Sequence, residues 1–113
     1  MKSLKVLVPQ LIARTRDRSI EWSTDTTNSF RLRIGNLYLI RIVDYSDVEP
    51  ADEGYALFLN RRDVLIDRLL GEKGTAEYVN LSELFDSVRR NVYKIDESIE
   101  EIEEFLKHSQ ISS

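Results

Sequence analysis

Chemistry in this sequence would have to come from carboxylates and arginines, because the chain holds no cysteine and one histidine. A thiol protease, a histidine-rich zinc site and the common hydrolase triad cannot be assembled from that set. His108 lies past the last apolar position of the C-terminal segment, beside Ser109–Ser113, and reads as a solvated surface residue rather than a general base. Asp44, Asp47, Glu49, Asp52 and Glu53 are oxygen ligands of the type calcium or magnesium takes. Their spacing departs from the EF-hand loop, which needs a central glycine and a terminal glutamate in register, so a solvated acidic loop is expected. Gly71-Glu72-Lys73-Gly74-Thr75 lacks the full run of a phosphate-binding loop, and no carboxylate pair stands out for glycoside cleavage. The expectation is therefore no catalytic, cofactor-binding or metal-ligating residue, and no enzyme.

Binding is the chemistry that remains. Phe30, Leu32 and Ile34 alternate with Arg31 and Arg33, the pattern of a half-buried strand. If the next strand pairs with it as a hairpin, Arg31, Arg33 and Arg41 share one face with Leu39, Val43 and, from the strand after, Phe58. Arginine beside exposed apolar side chains is the composition of a protein-binding hot spot. The same face could contact phosphate or RNA, with Arg61 and Arg62 added to the set, although no ribonucleoprotein-type aromatic motif is visible. A third reading has a helix covering part of the face while the arginines reach around its rim to water.

These residues need elements to position them. Leu4, Leu7, Val8, Leu11 and Ile12 recur at helical spacing and predict a helix over roughly Ser3 to Arg18, capped by Ser3. Pro9 either opens a shorter helix or kinks a longer one; a helix regular from Pro9 onward is expected. Ser19–Ser23 alternates around Ile20 and Trp22 and reads as a first strand, with Thr24–Ser29 as a turn. Gly35-Asn36 predicts a tight hairpin into a strand over Leu37–Tyr45. Asp44–Gly54 reads as an acidic loop, Tyr55–Leu59 as a fourth strand, and Val64 to about Leu69 as a fifth.

The C-terminal segment carries the longest pattern. Asn80 precedes Glu83 by three residues, a capping-box arrangement that predicts a helix start. Leu81, Phe85, Val88, Val92, Ile95, Ile99, Ile102 and Leu106 then follow a heptad stripe, predicting one continuous helix of about 39 Å. Such a rod is long beside a body whose radius of gyration should be near 13 Å. The stripe can pack on the sheet, or its later part, Val92, Ile95, Ile99, Ile102 and Leu106, can join a second copy into a homodimer. Glu97 with Glu101, and Glu100 with Glu104, are like-charge pairs four apart; they serve solubility or face a basic partner.

Length and charge set the outer bounds. A chain of 113 residues and 13.2 kDa fits one domain, residues 1–113. With 42% hydrophobic and 32% charged residues the composition is that of a soluble globular protein, and no run of 18 apolar residues offers a membrane span. Residues 1–42 hold eight basic and three acidic side chains, a net of +5, while the rest holds eight basic and seventeen acidic, a net of −9. Opposite halves can therefore attract one another within a chain or between copies. A pI near 5.0 weighs against nucleic acid as the main partner. The N-terminus lacks the pattern of a secretory leader, and the missing cysteines agree with a reducing, cytoplasmic location.

Leu11-Ile12-Ala13-Arg14 leading to Ile20-Glu21-Trp22, then Asn28-Ser29-Phe30-Arg31, and Leu84–Arg90 with the later Ile95-Asp96, resembles a group of small uncharacterised bacterial proteins. That resemblance implies a helix, a twisted antiparallel meander and a long closing helix, and it carries no activity. The fold expected is α+β, with about five antiparallel strands and a helix at each end. The function expected is a non-catalytic protein-binding module, an accessory or regulatory subunit that self-associates; the alternative is a nucleic-acid-binding regulator.

Overall fold

A computed structural model describes residues 1–45 and 53–108. The chain opens with a 3-10 turn at Leu4–Val6, whose N-terminus Ser3 caps by accepting from the Lys5 amide, and continues directly into helix α1, Leu7–Arg16. Pro9 sits within the first turn of α1, where its missing amide proton has no intrahelical partner to lose.

Five strands follow, β1 (Ser23–Thr26), β2 (Ser29–Ile34), β3 (Tyr38–Asp44), β4 (Gly54–Arg61) and β5 (Val64–Glu72). They form one sheet in the order of the sequence, every neighbour antiparallel. Gly35 at φ 60° turns β2 into β3. The β4–β5 turn uses Arg62 at φ 49° and Asp63 at φ 69°, the left-handed pair whose twist suits a two-residue hairpin.

The first strand lies later than the alternation of Ser19–Ser23 implies. Arg18, left-handed at φ 64°, ends α1, and Asp17 turns the chain by accepting from the Ser19 amide at 2.8 Å. This leads Trp22 back to α1, where its Nε1 donates to Thr15 Oγ1 at 2.9 Å while Thr15 Oγ1 donates to the Leu11 carbonyl at 2.6 Å. Strand pairing begins only after that contact, so β1 occupies residues expected to form a turn.

Helix α2 runs over Ala76–Val92, capped by Thr75, whose Oγ1 accepts from the Tyr78 amide at 3.2 Å. Asn80, the expected cap, lies inside it. Gly71 on β5 lets α2 approach: a Cβ there would stand 2.8 Å from the Glu77 carbonyl. One face of the sheet is covered by α1 and α2, and Leu11, Ile12, Phe30, Ile40, Ile42, Leu57, Leu81, Leu84 and Val88 meet in one buried cluster. Phe30 and Tyr55 each pack on the Phe85 ring, with centroids 5.3 Å apart.

The C-terminal helical segment is present but divided. After α2, Lys94 takes φ 51° and its amide bonds back to the Asn91 carbonyl at 3.4 Å; a separate helix, α3, spans Ile95–His108. The break gives Asp96 and Glu97 a helix N-terminus, where acids are favourable, and they pair with Arg90 and Arg18 on the body. The Tyr93 ring meets Phe30 edge-on at 5.8 Å. Continuity of the heptad pattern did not impose continuity of the helix, because these contacts at the junction outweigh it. No residue of α3 is buried, and the radius of gyration is 16.8 Å with a longest dimension of 61 Å. A compact chain of this length would have a radius near 13 Å, so α3 extends from the body.

Candidate functional site

The face of the sheet opposite the helices is built from the alternation of the strands. Its register can be followed in three rows. Arg33, Leu39, Asn60 and Leu65 stand side by side; next come Arg31, Arg41, Phe58 and Arg68; then Ser29, Val43, Ala56 and Leu70. The six residues singled out from sequence, Arg31, Arg33, Leu39, Arg41, Val43 and Phe58, thus share one face. None of them belongs to the buried cluster beneath α1 and α2. Leu39, Val43 and Phe58 are half-buried, and Arg31 and Arg33 are exposed.

Arg41 differs from its neighbours. Its Nε donates to Asp25 Oδ2 at 2.9 Å, and its guanidinium carbon lies 5.7 Å from the Phe58 ring centroid. Asp25 also accepts from Ser29 Oγ at 3.0 Å. Burial alone would raise the Asp25 carboxyl, but the Ser29 hydrogen bond and the Arg41 and Arg31 charges together hold it below its ordinary value. Arg41 is thereby committed to the structure. Arg31, Arg33 and Arg68 make no ion pair among the described residues and face outward, around an apolar floor.

Sequence reasoning missed Leu65, Arg68 and Leu70. A bulge in β5, where Leu59 pairs with Asp67 but Asn60 pairs with Leu65, shifts the alternation at Ile66 and hides these residues from a period-two reading. Arg61 does not join the face, whereas Arg62 borders its end and lines a groove with Arg33, Leu39 and Asn60. Arg61 pairs with Tyr38 and Val64 on the helix side of the sheet, and Arg62 lies in the turn.

The second surface is α3. Ile99, Ile102, Phe105 and Leu106 are 49%, 58%, 65% and 55% exposed. Of the expected seam, Val92 packs against the buried cluster and Ile95 is half-buried, so the free stripe starts after them. A groove at the root of α3 is lined by Arg18, Trp22, Asn91, Lys94 and Glu97, and there Asn91 Nδ2 donates to the Thr15 carbonyl at 3.2 Å.

His108 is exposed and pairs with Glu104 at 2.8 Å. Asp47, Glu49 and Asp52 of the acidic loop lie outside the described residues, while Glu53 pairs with Lys73 at 3.2 Å. Among the described residues no three histidine, cysteine or acidic side chains are grouped as a metal site, and no helix is long and apolar enough to cross a membrane. No family model, curated protein or solved structure matches the chain.

Proposed function

We propose that this chain is a non-catalytic bacterial protein-interaction module, an accessory or regulatory subunit that self-associates. The observation that supports the reading is the coexistence, among the described residues, of two exposed surfaces on one small body. One is the sheet face with Leu39, Val43 and Phe58 between Arg31, Arg33 and Arg68. The other is α3, on which Ile99, Ile102 and Leu106 are each about half exposed among the described residues. Exposed apolar area rimmed by charge is characteristic of protein contact surfaces.

Photo-reactive side chains placed at Phe58 and at Ile102 of the full chain, activated in cells that make it, test the reading. Covalent protein adducts at both positions are expected. Adducts to nucleic acid alone at Phe58, or none at either position, overturn it. A fluorescence titration with single-stranded oligonucleotide at two salt concentrations separates the rival, since phosphate contacts make affinity fall steeply with salt. Commitment of Arg41 to Asp25, and the placing of Arg61 on the helix side of the sheet, leave that rival fewer arginines than the sequence offers it.

A further inference from the structure

We infer that α3 of one copy docks across the open sheet face of a second copy. The inference rests on the self-association in the reading above and names the two surfaces that meet. It replaces a pairing of α3 with α3 by a pairing of α3 with the arginine-bearing face.

Charge decides between these pairings. Residues 95–108 hold six acidic side chains and one lysine, a net of −5 with His108 neutral. Asp96 and Glu97 are held by Arg90 and Arg18, and Glu104 by His108. Glu100, Glu101 and Glu103 make no ion pair among the described residues, and at 100° per residue Glu103 flanks the Ile99–Leu106 stripe while Glu100 and Glu101 lie farther round the helix. Two such helices side by side would oppose like charge to like. On the sheet face Glu103 meets Arg31, Arg33 and Arg68, which are likewise unpaired among the described residues, and the net negative helix lies over a net positive surface. Complementary potentials of this kind select one partner surface over another.

Size agrees. From Ile99 to Leu106 the free apolar stripe runs about 10 Å at about 1.5 Å per residue, short enough to lie within the face. The face from β2 to β5 spans three strand spacings, about 14 Å. The helix stripe would lie over Leu39, Phe58 and Leu65 with its acidic flank at the arginines. Because α3 extends from the body, a two-fold pair can exchange helices reciprocally. Both seats are then filled and the assembly closes. Using the contact twice also brings two small seats toward the roughly 1,200–2,000 Å² that stable associations bury.

Light scattering after gel filtration of the full chain, at low and high salt, tests this. A dimer at low salt that loosens at high salt is expected. The Arg31→Glu/Arg33→Glu and Glu103→Lys variants should each weaken the dimer by more than about tenfold. An equal mixture of the two should restore it, because each seat again joins opposite charges; circular dichroism checks that both variants keep the fold. A dimer that survives Arg31→Glu/Arg33→Glu but is lost in Ile99→Glu means helix pairs with helix, and overturns the inference while self-association stands. A monomer at every concentration and salt overturns it too. Protein adducts at Phe58 in that monomer would preserve an interaction module for some other protein, whereas their absence would sink both.

Discussion

Arg31 and Arg41 stand directly opposite each other on β2 and β3, yet of the two only Arg41 forms an ion pair among the described residues, with Asp25 at 2.9 Å. Two arginines facing across a ladder repel. Asp25 relieves that repulsion because a register shift between Thr24 and Thr26 sets it free of strand pairing, where it reaches Arg41 and Ser29. The consequence for binding is a division of labour: one arginine holds the face together and the others remain available.

Asp25→Asn should therefore lower stability by about 1 kcal/mol at neutral pH, the modest size reflecting partial exposure of the pair. Because the folded state holds the Asp25 carboxyl below its ordinary 3.8, folding disfavours its protonation. Its contribution is present above that value and is lost as pH falls below it, through the folded-state pKa. Urea unfolding followed from about pH 6 to about pH 2 should show a shallower acid loss in Asp25→Asn than in the parent chain. Identical pH slopes would remove Asp25 from this role.

Thr15 is the hub behind the first strand. Thr15→Val keeps the shape but leaves the buried Trp22 Nε1 without its acceptor, at a cost of about 1–3 kcal/mol. Thr15→Ser keeps the oxygen and gives up one methyl, about 1 kcal/mol. Denaturant midpoints should rank the parent chain first, then Ser, then Val. A valine variant as stable as the serine variant contradicts the contact.

Gly71→Ala tests how closely α2 lies on β5. The added Cβ would press on the Glu77 carbonyl and the Tyr78 Cα, both backbone atoms that cannot swing aside. A loss of about 1–3 kcal/mol is expected from calorimetry or urea unfolding. An unchanged midpoint would mean the helix sits farther from the strand.

Lys94→Gly discriminates a divided helix from a continuous one by sign. At φ 51° glycine avoids the steric cost a side chain meets, so stability should hold or rise by up to about 1 kcal/mol. In an unbroken helix the same change would cost about 1 kcal/mol. Helix content by circular dichroism with the thermal midpoint reads the difference.

The meander was legible because its signals are local. The alternation in Phe30–Ile34, the glycine at 35 and the apolar run at Tyr55–Leu59 each specify backbone conformation within a few residues, and β2, β3 and β4 lie where those signals put them. Placement of Arg31, Arg33, Leu39, Arg41, Val43 and Phe58 on one face followed from strand period and a short hairpin. The cap of α2 was misread because Asn80 and Thr75 both precede an acid at short range. What selects Thr75 is the left-handed Gly74 before it, which ends the β5 connection and frees the helix to start there.

By itself, then, the sequence determined the α+β class, the strand pattern and the existence of an amphipathic C-terminal segment, since hydrophobic period and turn residues act between near neighbours. Tertiary structure decided the rest. Trp22 delays the first strand by reaching Thr15, the bulge at Ile66 brings Leu65 and Arg68 to the open face, and Lys94 divides the final helix where Asp96 and Glu97 can meet Arg90 and Arg18. Each of these depends on atoms far apart in the chain, whose contact energies no local period records.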